Sequence, residues 1–171
     1  MEKIELVSFQ PSWEKDFYEE QKKIKALLPE EVQIYHIGST AIPNMFARPI
    51  IDLMIVTSNI RSFDQNELLQ TIGYETKGDG SLNRRLFVKC NDKCRVHAHV
   101  FEKGNSEIER HIAFREYMIA HKEEALEYSE LKKSLAEKNH EDYIIGRNDY
   151  LEKINKQANN WREEEGEQSL K

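Results

Sequence analysis

The spacing of apolar positions changes several times along the chain, and each change marks an element. Trp13, Phe17, Ile24 and Leu27 recur at near-helical intervals, which predicts a helix from Ser12, as N-cap, to Leu28. Pro29 stops it, because proline has no amide hydrogen for the helical ladder. Val32–Ile37 reads as a strand, and Gly38, Ser39, Thr40 and Pro43 break the chain after it. Pro49–Val56 (PIIDLMIV) is the most apolar stretch. Short, rich in branched side chains and bounded by breakers, it reads as a strand buried on both faces.

Ser62 and Gln65 have the form of a capping box, opening a helix that carries Leu68, Leu69 and Ile72 and ends at Gly73. Arg84–Phe101 contains two alternating runs, RRLFVK and RVHAHVF, around Asn91-Asp92, which predicts a hairpin. A second capping box, Ser106 to Glu109, starts a helix with Ile108, Ile112 and Tyr117 inward. The helical pattern continues past His121 through Leu126, Leu131 and Leu135, and a last helix runs from about Asp142 toward Trp161. The order of elements predicts an α/β (α+β) fold: a small mixed sheet flanked by helices, with a helical C-terminal third. One domain is expected over residues 1–162, followed by a polar tail, 163–171, that frays.

Length and charge narrow the function classes. The 171 residues suit one domain, and the 39% hydrophobic content suffices for a core. A net charge of −6 disfavours broad nucleic-acid binding, which needs a basic footprint. Residues 77–115 nevertheless hold nine Lys/Arg against five Asp/Glu. That local excess is either chance clustering on a solvated face or an attraction for a small anion. No apolar run approaches the ~18 residues of a membrane span, and the opening MEKIELVSF lacks a secretory pattern. Cys90 and Cys94 are the two cysteines, so no disulfide framework is expected and a cytoplasmic location is.

Chemistry gathers around two stretches. Asp52 lies within the apolar strand, where an unpaired charge costs several kcal/mol. It requires a metal, a cation or a solvated cleft; pairing with Arg48 or with loop amides is the structural alternative. Strand alternation puts Ile50, Asp52 and Met54 on one face. Gly38-Ser39-Thr40 offers free amides and two hydroxyls to phosphate oxygens, or is an ordinary turn. His97 and His99 share a strand face with Arg95 and Phe101. Beside Asp52 they would make an Asp/His/His set suited to Zn, Mn or Fe rather than Mg; otherwise they are hydrogen-bonded histidines under a helix. His36 precedes the Gly-Ser turn and either points into the same cleft or is structural. Arg84, Arg85 and Arg95 offer guanidinium forks for phosphate, as do Arg110 and Arg115 beside His111, unless they form surface pairs. Cys90, Cys94, His97 and His99 spell C-x3-C-x2-H-x-H, which is not a standard zinc spacing and reads better as two ordinary thiols at a turn.

His36-Ile-Gly-Ser-Thr-Ala-Ile-Pro followed by Arg48-Pro-Ile-Ile-Asp52 resembles the nucleotidyltransferase (polymerase beta-like) superfamily. More closely, this text, with His97–Gly104 and Ile108–Tyr117, resembles the GrpB family over roughly residues 5–155. Arg48 stands where that family usually has lysine. Tyr143 and Arg147 lie where GrpB-like chains tend to carry a tyrosine and a basic residue. The resemblance implies a nucleotidyltransferase-like fold and a phosphorylated small-molecule partner, a nucleotide or a coenzyme-A-like metabolite, since GrpB-like domains also occur fused to dephospho-coenzyme A kinases. Active nucleotidyltransferases carry a second acid where this chain has Met54, a poor Mg²⁺ ligand. Three functions follow: a nucleotidyltransferase using Mg or Mn; a non-catalytic metabolite-binding module; and a hydrolase with one Zn or Fe on Asp52, His97 and His99.

Overall fold

Two prolines bracket the first helix, α1 (Ser12–Leu27): Pro11 occupies its N-cap, and Leu28, just before Pro29, turns extended at ψ 133°. Ser12 is therefore the first helical residue rather than the cap. The computed structural model describes residues 3–64, 67–78, 83–92 and 95–169. After α1 come β1 (Gln33–Ile37), a 3-10 turn over Ser39–Ala41 and β2 (Ile50–Thr57). A second 3-10 turn, Ile60–Phe63, leads through α2 (Glu67–Thr71) to β3 (Glu75–Thr76), β4 (Arg84–Cys90) and β5 (Arg95–Glu102). Helices α3 (Ser106–Ala120), α4 (Lys122–Ala136) and α5 (His140–Ser169) complete the chain.

The sheet order is β1-β2-β5-β4-β3, with β2 and β5 parallel and every other pair antiparallel. β4 and β5 form the expected hairpin. The mixed sheet and the helical C-terminal third agree with the sequence reading.

Both capping boxes are corrected. Ser62 lies inside the second 3-10 turn, and its hydroxyl lies 2.7 Å from the Asn59 carbonyl oxygen and 2.8 Å from Glu30 Oε1, two acceptors for its one hydrogen. Asn59 is the cap, accepting from the Arg61 amide, while Gln65 lies outside the described residues. Likewise Asn105, not Ser106, caps α3 by accepting the Glu107 amide at 2.9 Å. In each case an asparagine just upstream supplies the shorter-range acceptor. The helical run also breaks at His121, and α5 continues to Ser169, through the stretch read as a frayed tail.

Apolar packing is divided by the sheet. Trp13, Phe17 and Ile24 of α1 cover one face, meeting Ile51, Leu53 and Ile55 of β2 and Val96, Ala98 and Val100 of β5. On the other face, Ile112 of α3 covers Ile37, Met54, Val56 and Phe101. A separate core joins α3, α4 and α5 to Ile42 and Met45, which follow the Gly-Ser turn. Gly146 lets α5 press against α4, since a Cβ there would lie 2.6 Å from Leu135 Cδ2.

Candidate active site

β2 and β5 run parallel with Asp52 opposite His97 and Met54 opposite His99. That register places the carboxylate and both imidazoles on one face, as strand alternation requires. His99 Nε2 lies 3.0 Å and His97 Nδ1 3.9 Å from Asp52 Oδ1. One ligand atom from each of the three residues falls within 4.8 Å of the others. Arg84, beside them on β4, approaches His99 Nδ1 at 3.4 Å. A guanidinium only donates, so Nδ1 accepts and Nε2 carries the proton toward Asp52.

Gly38 brings the turn onto this carboxylate. Its φ of +74° is one that side-chain-bearing residues rarely adopt. A Cβ there would sit 2.9 Å from Asp52 Oδ2. Glycine is thus needed both for the bend and for the close approach. The alternative pairing of Asp52 with Arg48 is not present: among the described residues no arginine lies within ion-pairing distance of Asp52, and its nearest polar partners are the two imidazoles.

These groups floor a cavity of about 280 Å³ whose lining includes Ser39, Thr40, Arg48, Asp52, His97, His99, Tyr128, Lys132, Tyr143 and Arg147. The structure therefore gathers most residues singled out in the sequence. Arg95 stands at the start of β5 and lines a neighbouring cavity with Arg48 and His140. Burial holds the His97 imidazole below its ordinary range; the Asp52 charge opposes that, and His99, Arg95 and Arg48 add to it. His111 of α3 lies 6.3 Å from the His99 ring, and burial, reinforced by Arg110, pushes it down to about 4.

Two expected members lie elsewhere. His36 pairs with Leu53, so it faces α1, where it stacks on Phe17 at 4.8 Å and meets Thr40 Oγ1 at 3.0 Å. Burial lowers it to about 4, partly offset by Asp52. Arg85 pairs with Val100 and also faces away, its Nε 2.6 Å from Asp64 Oδ1. Cys90 is exposed, and Cys94 lies outside the described residues. The basic middle of the chain is largely consumed by its own partners: Lys89 meets Glu20, Arg110 meets Glu107 and Arg115 meets Glu116.

The sequence reading missed Lys132 and Tyr128. Lys132, 2% exposed, donates to Ser39 Oγ at 2.9 Å and to the Phe46 carbonyl at 2.5 Å. Its ammonium lies 4.4 Å over the Tyr128 ring. The signal was available: Tyr128, Lys132 and Leu135 fall at i, i+4 and i+7, so the lysine sits in an apolar stripe.

The chain matches the family model described as GrpB protein over residues 3–157. YqkA of Bacillus subtilis is 39% identical over 166 residues, covering 94% of this chain and 48% of YqkA; the chain thus spans about half of that relative. BH1888 of Halalkalibacterium halodurans is 30% identical, with 91% and 83% covered. The crystal structure of conserved protein GrpB from Enterococcus faecalis superposes with a TM-score of 0.85 at 33% identity, covering 92% of this chain and 99% of that one. Cid1 in complex with its short product ApU superposes with a TM-score of 0.51 at 10% identity, covering 74% and 40%, a likeness of fold.

Proposed function

The chain belongs to the GrpB family, and on that premise we propose that it is a metal-dependent, nucleotidyltransferase-like protein acting on a nucleotide or related phosphorylated metabolite. The observation that carries this reading is the convergence of Asp52, His97 and His99 in a cavity also lined by Arg48, Lys132 and Arg147.

One carboxylate and two imidazoles fit a single divalent ion, with Zn²⁺, Mn²⁺ or Fe²⁺ favoured over Mg²⁺. Bound there, the ion would act as a Lewis acid on a phosphoryl oxygen. Ligation through His99 Nε2 requires the proton now directed at Asp52 to leave, so metal and proton compete. The chain's own groups supply the rest. Gly38 and Ser39 bring the turn against the ligand, and Arg48, Lys132 and Arg147 would offset charge on the phosphates while an acceptor hydroxyl attacks the α-phosphorus, the bond from that phosphorus to the bridging oxygen breaks, pyrophosphate leaves and the hydroxyl proton passes to solvent. Cid1, the fold neighbour solved with a nucleotide product, supports the nucleotide class.

Met54 favours a second reading, a binding module without turnover. Its side chain is fully buried among Ile37, Val56 and Phe101, so no second carboxylate stands where a two-metal centre needs one.

Calorimetry with Mn²⁺ and Zn²⁺, then with nucleoside triphosphates, tests both. The wild type is expected to bind one ion, and Asp52→Asn to weaken it more than ~100-fold, beyond what loss of an outer-shell partner costs. A wild type that binds neither ion removes the metal-dependent reading. Release of pyrophosphate on adding acceptor separates transferase from module.

A further inference from the structure

We propose that Lys132 and Arg147 form a charge pocket for the anionic end of the ligand, and that Lys132 takes up its proton as the ligand arrives. This rests on the phosphorylated-ligand reading above and adds which groups receive the charge and how binding depends on pH.

Lys132 is a buried amine that the fold leaves uncompensated. Among the described residues, no carboxylate lies within ion-pairing distance of its Nζ; its contacts are a hydroxyl, a carbonyl and a ring face. Burying an ammonium this way costs several kcal/mol, because neutral dipoles replace only part of its hydration. Arg147 reaches the same cavity from α5, and its Nε is buried with no hydrogen-bond partner. Two cations thus face one space. Tyr128 lies beside Lys132 on α4, Tyr143 and Arg147 face it from α5, and Arg48 faces it from the segment before β2. Across the cavity stand Asp52, His97 and His99. Among the described residues Asp52 is the single carboxylate in that lining, and it is already bonded to His99. An incoming anion supplies the missing countercharge for both cations.

Burial, with the Arg147 charge adding to it, pulls the Lys132 ammonium down to about 7. The free protein therefore loses this proton as pH rises through about 7, while a bound anion holds it on. Binding takes up a proton above that pH and none well below it, and affinity falls as pH rises. A purely structural lysine, tying Ser39 to Phe46, would show neither effect.

The test is titration calorimetry with inorganic tripolyphosphate in pairs of buffers of different ionisation enthalpy. It uses wild type, Lys132→Met and Lys132→Arg, each checked for native circular dichroism. The wild type is expected to take up close to one proton per ligand at about pH 8.5 beyond what Lys132→Arg takes up, and no excess at about pH 6. Lys132→Met is expected to bind at least ~10-fold more weakly at about pH 6, where the wild-type amine is charged. Equal proton counts in wild type and Lys132→Arg, or equal affinity in wild type and Lys132→Met, overturn the inference and leave the phosphorylated-ligand reading standing. If Lys132→Met fails to fold, the comparison with Lys132→Arg decides alone. A wild type that ignores tripolyphosphate at every pH overturns both.

Discussion

On one face of the sheet, Ile51, Leu53 and Ile55 of β2 meet Val96, Ala98 and Val100 of β5 beneath α1, nearly all without solvent contact. On the other face the same two strands put Asp52, His97 and His99 toward one end and Met54, Val56 and Phe101 toward the other. Ile112 of α3 covers the second group, while the first lines a cavity bounded by side chains of α4 and α5. The Asp52 charge thus sits where the covering helices stand off from β2, whereas Lys89 of β4 is buried beneath α1 because Glu20 of that helix pairs with it. Parity decides the rest: His36, one position from Ile37 on β1, belongs to the α1 face and takes no part in the cavity.

The largest effect that would test this division comes from matched substitutions on adjacent β2 residues. Leu53→Ala removes a side chain with no exposure and is expected to destabilise the fold by about 2–5 kcal/mol, with metal affinity unchanged in the folded fraction. Asp52→Asn keeps shape and a hydrogen-bond acceptor, and its stability is expected to stay within ~1 kcal/mol of wild type while metal affinity falls more than ~100-fold. Urea denaturation alongside metal titration reads both. Equal destabilisation by the two would mean that the faces are not distinct.

A smaller effect separates the half-buried histidine of the α1 face from the cavity. His36 is held at about 4 in the folded chain against the ordinary 6.5. Between those values the unfolded chain binds the proton and the folded chain does not, so stability rises with pH there. On acidification from about 6.5 to about 4, His36 alone accounts for a loss of up to ~3 kcal/mol. His111, depressed to a similar value, adds its own share. The profile of His36→Gln is expected to be flatter by one share and to retain the other. An unchanged slope would show that His36 does not titrate as its burial requires.

Much of this was legible in the sequence because it depends on local pattern. PIIDLMIV announces a two-sided buried strand, the two alternating runs announce β4 and β5, and Gly38-Ser39-Thr40 announces the break between β1 and β2. What escaped depends on neighbours distant in the chain. Which asparagine or serine caps a helix turns on a competition between adjacent residues, won by Asn59 and Asn105. The faces of His36 and Arg85 follow from pairing register, which alternation within one strand does not supply. Lys132 is buried only because α4 packs it against Ser39 and Phe46, although its place in an apolar stripe marked it.

Arg85 gives the smallest and most discriminating test. Its neighbours in sequence and charge made it a candidate phosphate fork, equivalent to Arg84. In the fold the two alternate: Arg84 turns to His99, whereas Arg85 turns to Asp64, whose side chain is 46% exposed. Partly solvated pairs of this kind contribute about 0–1 kcal/mol. Arg85→Ala is therefore expected to shift stability by no more than ~1 kcal/mol and to leave tripolyphosphate binding at wild-type strength. Arg147→Met, matched in the same titration, is expected to weaken binding, since its guanidinium lines the cavity. Were Arg85→Ala to weaken binding as much as Arg147→Met, the ligand would have to reach the α1 face, and the register that separates Asp52 from His36 would no longer define the site.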